Sequence, residues 1–398
     1  MPIDKRQLEK RKWPSSSFPV GQEVLGRNDE RNEKPFFCDD NGQELIPKKE
    51  NIYVRIPYPA DYLKSCYVDK KRVSAFSLPV PPGESAISSL SRDSTNKIYG
   101  VTKGKACHLF VCDPYEKRNS VVVLGIVEKE CAKSSIVISH GRDIFIGTRK
   151  VYGEGNLYSY NLDNVSASIE KIGAPVKGEG ISALVMDDRI SCIYGLTDRT
   201  GTFFIFNCKE RSFELKGQVN KEGLFSEVLS IDSYGNVFGG CRWTELFKYD
   251  VKRGRLLPLG IKAPSLCGRE FYNKIESLIW DEQSRSFYGG TSGDGILFRF
   301  CPEEEKMISL GKPLNQPHIR CLTKCSDGCI YGIAGKNCCH LFRYNPGDGD
   351  LRDFGVFSVS SPRFWHGYEF DAVVTGEKGT IYFGESDRIS HLFIYSTK

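Results

Sequence analysis

The chain has 398 residues, of which 40% are hydrophobic, 26% charged and 12% aromatic, so it can bury a core of good size. Its 39 Gly, 24 Phe and 19 Tyr favour many short strands joined by tight turns. The net charge of +5 does not by itself imply a nucleic-acid partner, and we expect none. No apolar run approaches the length of a membrane span, so we expect no membrane association.

The N-terminal sequence MPIDKRQLEKRKWP lacks the apolar stretch of an export signal. Fifteen cysteines are scattered along a chain that needs no disulfides at this size. We therefore expect reduced thiols and a cytoplasmic location.

In chain order, residues 1–70 are rich in charge and proline and are predicted to form a partly irregular N-terminal extension. The next segment, Arg72–Leu78, has the pattern of a β-strand and is followed by Pro79. A repeat then extends to the C-terminus, and we predict one domain over residues 71–398.

Each repeat contains an aromatic–Gly motif followed, six to nine residues later, by a second aromatic strand. The glycines of the first motif are Gly100, Gly147, Gly195, Gly239, Gly289, Gly332 and Gly384. The second motif begins at His108, Asn156, Thr202, Glu245, Ile296, His340 and His391. A period-two pattern indicates strands, and four strands in a period of roughly 45 residues are typical of a propeller blade.

In this repeat length and strand pattern the chain resembles the superfamily of seven-bladed β-propellers. The resemblance implies an all-β fold of seven four-stranded antiparallel blades. Because the last repeat ends at its third strand, we expect Arg72–Leu78 to complete that blade and close the ring.

The loops between the second and third strands of the blades carry cations that such a ring would bring to one face. They are Lys103, Arg149, Arg199, Arg242, Lys336 and Arg388. Segments entering the first strands of the later blades add four polar candidates, which are Arg269, Tyr272, His318 and Arg363. This pattern predicts a site for an anionic ligand, whether an acidic glycan, a small molecule or a protein partner. The alternative is a solvated rim whose cations pair with neighbouring carboxylates.

An enzymatic alternative rests on His366 and Tyr368, which project to the same side of an extended segment. With Arg320 holding a substrate carboxylate, they form candidate catalytic residues of a lyase acting on acidic, uronate-type oligosaccharides. Aromatic packing in a hydrogen-bonded loop explains the same residues without catalysis.

Cysteines are concentrated in the sixth repeat, but their spacing does not form paired zinc knuckles. We therefore expect them to pack in the core, and we predict neither a metal nor a cofactor. His108, His340 and His391 precede Leu-Phe at equivalent positions, so we expect them to form hydrogen bonds at strand starts.

Overall fold

The computed structural model describes residues 67–398, apart from 116–120, 140–141, 165–167, 361–364 and 388. The unit Tyr67–Lys398 is treated by itself, and Met1–Cys66 lies outside the described residues. The extension predicted for residues 1–70 therefore falls almost entirely outside them.

The described chain consists of β-strands with two 3₁₀ helices, Lys70–Arg72 and Glu270–Tyr272. The strands are β1 Val73–Ser77, β2 Ala86–Arg92, β3 Ile98–Cys112, β4 Val121–Ser139, β5 Asp143–Lys150, β6 Leu157–Asn161, β7 Glu170–Gly173, β8 Ile181–Asp187, β9 Cys192–Thr197, β10 Thr202–Asn207, β11 Ser212–Gln218, β12 Phe225–Ile231, β13 Val237–Cys241, β14 Glu245–Asp250, β15 Arg255–Lys262, β16 Ile275–Asp281, β17 Ser286–Thr291, β18 Leu297–Cys301, β19 Lys306–Gly311, β20 Ile319–Lys324, β21 Ile330–Ala334, β22 His340–Tyr344, β23 Leu351–Val356, β24 Ser358–Val359, β25 Trp365–His366, β26 Phe370–Thr375, β27 Thr380–Glu385 and β28 His391–Ser396. No helix among these residues has the length and apolarity needed to cross a membrane.

The propeller is built from six antiparallel sheets of the described strands, which corrects the predicted count of seven four-stranded blades. Five sheets have four strands each: β8–β11, β12–β15, β16–β19, β20–β23, and β26–β28 with β1. The first sheet has six strands, β2–β7. A two-stranded ribbon, β24–β25, lies outside these six.

The prediction of seven blades was wrong because the first two predicted blades share continuous hydrogen bonding. The long strand β3 pairs with β2 through residues 98–103 and with β4 through residues 104–112. In turn, β4 pairs with β5 through residues 131–139. The spacing of the motifs indicates where strands lie along the chain. It does not indicate which neighbouring strands are hydrogen-bonded, and so it does not show where one sheet ends and the next begins.

Ring closure by an N-terminal strand is confirmed. β1 pairs antiparallel with β28, with Val73 opposite Tyr395 and Ser77 opposite His391. The last sheet therefore combines the first and last described strands, and its otherwise open edge is paired.

The strands around the central channel contact one another in the order β2, β4, β8, β12, β16, β20 and β26, and β26 contacts β2. The six-stranded sheet thus contributes two channel-lining segments. Outside this ring, aromatic side chains fill the core, and they approach the backbone closely. A Cβ on Gly195 or Gly289 would meet the ring of Phe204 or Phe298 at 2.2 Å, so these positions require glycine.

Candidate functional site

The loops that carry the predicted cations lie on the same face as the segments entering the inner strands. Backbone hydrogen bonds join the two at equivalent points around the ring. Examples are Asp198 N to Gly180 O at 3.0 Å, Ser292 N to Lys274 O at 2.9 Å and Gly335 N to His318 O at 3.0 Å. Both sets of loops therefore surround one mouth of the channel, which we call the ligand face.

The channel opens at this face into a cavity of about 620 Å³. Apolar and small side chains of the inner strands form its wall. Its charged lining residues are five cations, Lys103, Lys133, Arg149, Lys274 and Arg320, and three carboxylates, Glu227, Glu276 and Asp371.

A β-bulge near the start of the inner strands explains how polar side chains reach the cavity. In β16, β20 and β26 the strand pairing skips Glu276, Arg320 and Asp371, respectively. The corresponding irregularity in β12 spans Glu227. Bulges re-aim side chains, and here the skipped residues line the cavity.

Asp371 is shared between two cations. Its carboxylate lies 2.5 Å from Lys103 Nζ and 3.2 Å from an Arg320 terminal nitrogen, and Arg320 also contacts Glu369 at 3.3 Å. Burial opposes the charged form, but Lys103 and Arg320 outweigh it, so the pKa of Asp371 is lowered. The buried Nε of Arg320 has no hydrogen-bond partner within the described chain.

A second cluster joins β12 to β4 and β5 across the cavity. Glu227 pairs with Lys133 at 2.8 Å and with Arg149. Burial alone would raise the pKa of Glu227, but these two cations lower it. By contrast, exposed Lys274 forms no ion pair with a described residue.

His318 forms a third polar group with Glu276. Its Nδ1 lies 2.9 and 3.0 Å from the two carboxylate oxygens of Glu276. The backbone of His318 is left-handed, at φ 71°, an uncommon conformation for a residue other than glycine. This pair lies at the rim, because Glu276 lines the cavity and His318 accepts from Gly335 in the adjacent loop.

The structure thus brings four predicted residues to the cavity or its rim: Lys103, Arg149, His318 and Arg320. Other predicted cations lie farther out and pair locally. Arg242 contacts Glu222 at 3.0 Å, and Arg269 contacts Asp294 at 2.9 Å.

Several predicted residues do not contribute contacts to the cavity. Arg199 donates to the carbonyl of Gly153, Tyr272 is 76% exposed, and Lys336 is exposed on its loop. Arg363 and Arg388 lie outside the described residues.

His366 and Tyr368 contact different surroundings, and neither lines the cavity. The His366 ring stacks on Tyr67 at 5.3 Å, and burial, together with Lys70, lowers its pKa. The backbone of Tyr368 accepts from Cys339 and donates to Glu385. The two residues do not line the cavity together, so the structure does not support their assignment as a catalytic pair.

Four cysteines of the sixth repeat pack in the core as predicted, whereas Cys338 is exposed. Cys321, Cys325, Cys329 and Cys339 are free thiols buried in one hydrophobic cluster. The described residues contain no group of three or more side chains placed to hold a metal ion.

The three equivalent histidines form hydrogen bonds with carboxylates, as expected for strand starts. His108 contacts Glu84 at 2.8 Å, and His391 contacts Glu385 at 3.0 Å. His340 contacts Asp353 at 2.9 Å.

Sequence reasoning missed the cavity carboxylates and two of its lysines, Lys133 and Lys274. The available signal was the residue after the first apolar position of each inner strand, as in Ile275-Glu276 and Phe370-Asp371. In a regular strand, successive side chains point to opposite faces of the sheet. The bulge breaks this alternation, and it is the bulge that directs the residue to the channel.

The fold and the mixed-charge channel mouth define the chain as a β-propeller with a polar cavity on one face. No protein-family model matches it, and no curated protein matches it in sequence. Solved propellers show the same fold at low sequence identity. One is described as a streptogramin B lyase structure, with a TM-score of 0.63 and 10% identity over 81% of this chain and 96% of that one.

Virginiamycin B lyase from Staphylococcus aureus matches with a TM-score of 0.64 and 8% identity, covering 82% of this chain and 99% of the other. The extracellular domain of the system BT4673 from B. thetaiotaomicron matches with a TM-score of 0.57 and 12% identity over 82% of this chain. This chain spans only 40% of that protein's length. These likenesses show the fold alone.

Proposed function

We propose that this propeller is a cytoplasmic ligand-binding module that holds an anionic group in the cavity on its ligand face. The observation that carries the proposal is the excess of cations there, five against three carboxylates. An acidic ligand gains from that excess in a cavity whose walls exclude part of the solvent.

Two cations are available for a ligand without breaking an internal ion pair. Lys274 presents an exposed ammonium that pairs with none of the described residues. Arg320 is oriented by Asp371 and Glu369, but its side chain remains 16% exposed and lines the cavity. Charge-assisted hydrogen bonds from such groups contribute roughly 1.5–3 kcal/mol each.

Citrate provides a simple test, because it places several carboxylates in a small molecule. We expect Lys274→Glu to weaken citrate binding, measured by isothermal titration calorimetry, by roughly 10- to 100-fold. Its melting temperature should stay near that of the parent, since exposed substitutions change stability by only about ±0.5 kcal/mol.

Lys306→Glu is the matched control. Lys306 is also exposed, but it begins β19 and does not line the cavity. Equal effects of the two substitutions, or no citrate binding by the parent protein, would contradict the proposal.

A lyase acting on uronate-type oligosaccharides is a second candidate, favoured by the His318–Glu276 pair beside Arg320. In such a β-elimination, a base takes the proton beside the carboxylate. A carbon–carbon double bond then forms as the carbon–oxygen bond breaks, and the leaving oxygen takes up a proton. His318, oriented by Glu276, can exchange protons, and Arg320 can neutralise the carboxylate. The streptogramin B and virginiamycin B lyases share this fold at 10% identity or less.

The two candidates differ in turnover. A lyase would release unsaturated products from polygalacturonate, detectable by ultraviolet absorbance, and His318→Ala would abolish that signal. A binding module would give no product, and His318→Ala would change affinity only. Product formation that survives His318→Ala would remove this residue from the mechanism.

A further inference from the structure

Three aromatic rings lie on neighbouring loops of the ligand face, and we call them the aromatic platform: half-buried Trp243 and exposed Phe271 and Tyr272. Phe271 is 64% exposed and Tyr272 is 76% exposed. Trp243 and Phe271 contact each other edge to face, with ring centroids 5.4 Å apart and an interplanar angle of 86°. Clustered exposed rings of this kind mark a binding surface more often than scattered ones do.

The loop that carries Phe271 and Tyr272 is held by buried polar groups beneath it. Asp294, whose side chain is fully buried, accepts from Leu266 N at 2.9 Å and from Asn273 Nδ2 at 3.1 Å. Asn273, also buried, accepts from Gly293 N at 2.8 Å. The rings are therefore presented on a pre-organised loop, which lowers the entropic cost of binding.

The backbone beneath Trp243 is unusual. Arg242 and Trp243 are consecutive residues with left-handed backbones, at φ 37° and 64°. Neither is glycine, and such conformations are uncommon for large side chains and cluster at ligand-binding sites. The strained turn keeps the indole on the ligand face, against Phe271.

The aromatic platform adjoins the cavity. Tyr272 precedes cavity-lining Lys274 by two residues, and Asn273 between them is extended. Their Cα atoms can therefore be at most about 7 Å apart. One ligand can contact the platform rings and the cavity cations together.

Flat, rigid aromatic faces suit the C–H faces of sugar rings, while the cavity suits a carboxylate. A nucleic-acid strand would also stack on the rings, but it carries a phosphate at every residue. The cavity is not the continuous cationic groove that follows such a backbone, because Glu227, Glu276 and Asp371 lie among its five cations. An oligosaccharide can place one acidic group in the cavity and an adjoining ring on the platform.

We propose that the aromatic platform is a subsite for an acidic oligosaccharide, which stacks a sugar ring on Tyr272 and its neighbours while its carboxylate occupies the cavity. This inference rests on the proposed anion-binding function and specifies the ligand class.

The test compares Tyr272→Ala with the parent full-length chain by calorimetry, using trigalacturonate, its neutral methyl ester, citrate and a thymidine hexanucleotide as probes. We expect Tyr272→Ala to weaken trigalacturonate binding by about five- to tenfold and to leave citrate binding unchanged. Tyr234→Ala is the matched control, because Tyr234 is 51% exposed but lies in the β12–β13 turn, on the opposite face. It should change neither affinity.

Four outcomes separate the possibilities. The expected pattern, with weak binding of the ester, supports the inference. Unchanged trigalacturonate binding by Tyr272→Ala overturns the platform, while citrate binding sensitive to Lys274→Glu leaves the proposed function standing. An ester that binds as tightly as the acid overturns both the acidic assignment and the proposed function. A hexanucleotide that binds more tightly than trigalacturonate and depends on Tyr272 overturns the sugar assignment.

Discussion

Asp371→Asn should lower stability and strengthen anion binding at the same time. Asp371 holds Lys103 at 2.5 Å and Arg320 at 3.2 Å, and its side chain is 25% exposed. Breaking an exposed ion pair costs about 0–1 kcal/mol, and breaking a buried one costs about 3–5 kcal/mol. For this partly buried, doubly paired carboxylate we expect a loss of about 2–3 kcal/mol in the free energy of unfolding.

The expected shift in melting temperature follows from the size of the unit Tyr67–Lys398. At about 2 cal/mol/K per residue, its unfolding entropy is about 0.7 kcal/mol/K, so the melting temperature should fall by about 4 °C. The cavity also loses a negative charge that competes with ligand. At roughly 6 Å in a partly screened site that charge costs a bound carboxylate about 1–3 kcal/mol. Citrate affinity should therefore rise about tenfold.

Asp350→Asn is the matched control, because Asp350 lies between Arg343 at 2.8 Å and Arg352 at 3.3 Å, away from the cavity. Thermal melts and citrate calorimetry on both variants give the two readouts. Asp350→Asn should lower the melting temperature without changing citrate affinity. If citrate affinity is unchanged or weaker in Asp371→Asn, the carboxylate does not compete with ligand, and the account of the cavity is refuted.

Three further predictions address the fold and its charges. Deleting residues 1–80 removes β1 and its pairing with β28, so this deletion should give an unstable or insoluble chain. Deleting residues 1–50 should be tolerated. Equal solubility and melting temperatures of the two truncated chains would contradict ring closure by β1. The pKa values of Asp371 and Glu227 are lowered in the folded state, so both carboxylates stabilise the fold above the pKa of the unfolded chain, near pH 4. The melting temperature should therefore change little between about pH 7 and 5 and should fall as the pH drops through the lowered pKa values of the folded state. A melting temperature that does not change with pH would contradict this. When the native protein is alkylated and analysed by mass spectrometry, exposed Cys267 should react. Cys321 and Cys339 should react only after unfolding, because burial raises the pKa of both thiols, that of Cys339 to about 12. Labelling of Cys339 in the native protein would contradict its burial.

The strand pattern and ring closure could be predicted from sequence because each depends on local periodicity. The aromatic–Gly motifs mark the strands that pair with the inner strands, and close packing there requires glycine, as Gly289 against Phe298 illustrates. The division into sheets could not be predicted in the same way. Continuous pairing along β3 and β4 depends on hydrogen bonds between segments, and repeat spacing does not encode it.

The candidate site was predicted in part for a related reason. Cations such as Lys103 and Arg149, which the structure places in β3 and β5, could be assigned to one face from their repeat positions alone. Whether a cation faces the channel or pairs at the rim depends on a partner distant in sequence, as with Lys103 and Asp371. The bulges that direct Glu276 and Asp371 inward have no clear sequence signature in a single chain.

A crystal structure of the protein with trigalacturonate tests the central claim most directly. We expect a carboxylate in the cavity, within hydrogen-bond distance of Lys274 Nζ and of the Arg320 guanidinium, with a sugar ring against Tyr272. Trigalacturonate bound on the opposite face, or at the ligand face without contact to either cation, would contradict the proposed site.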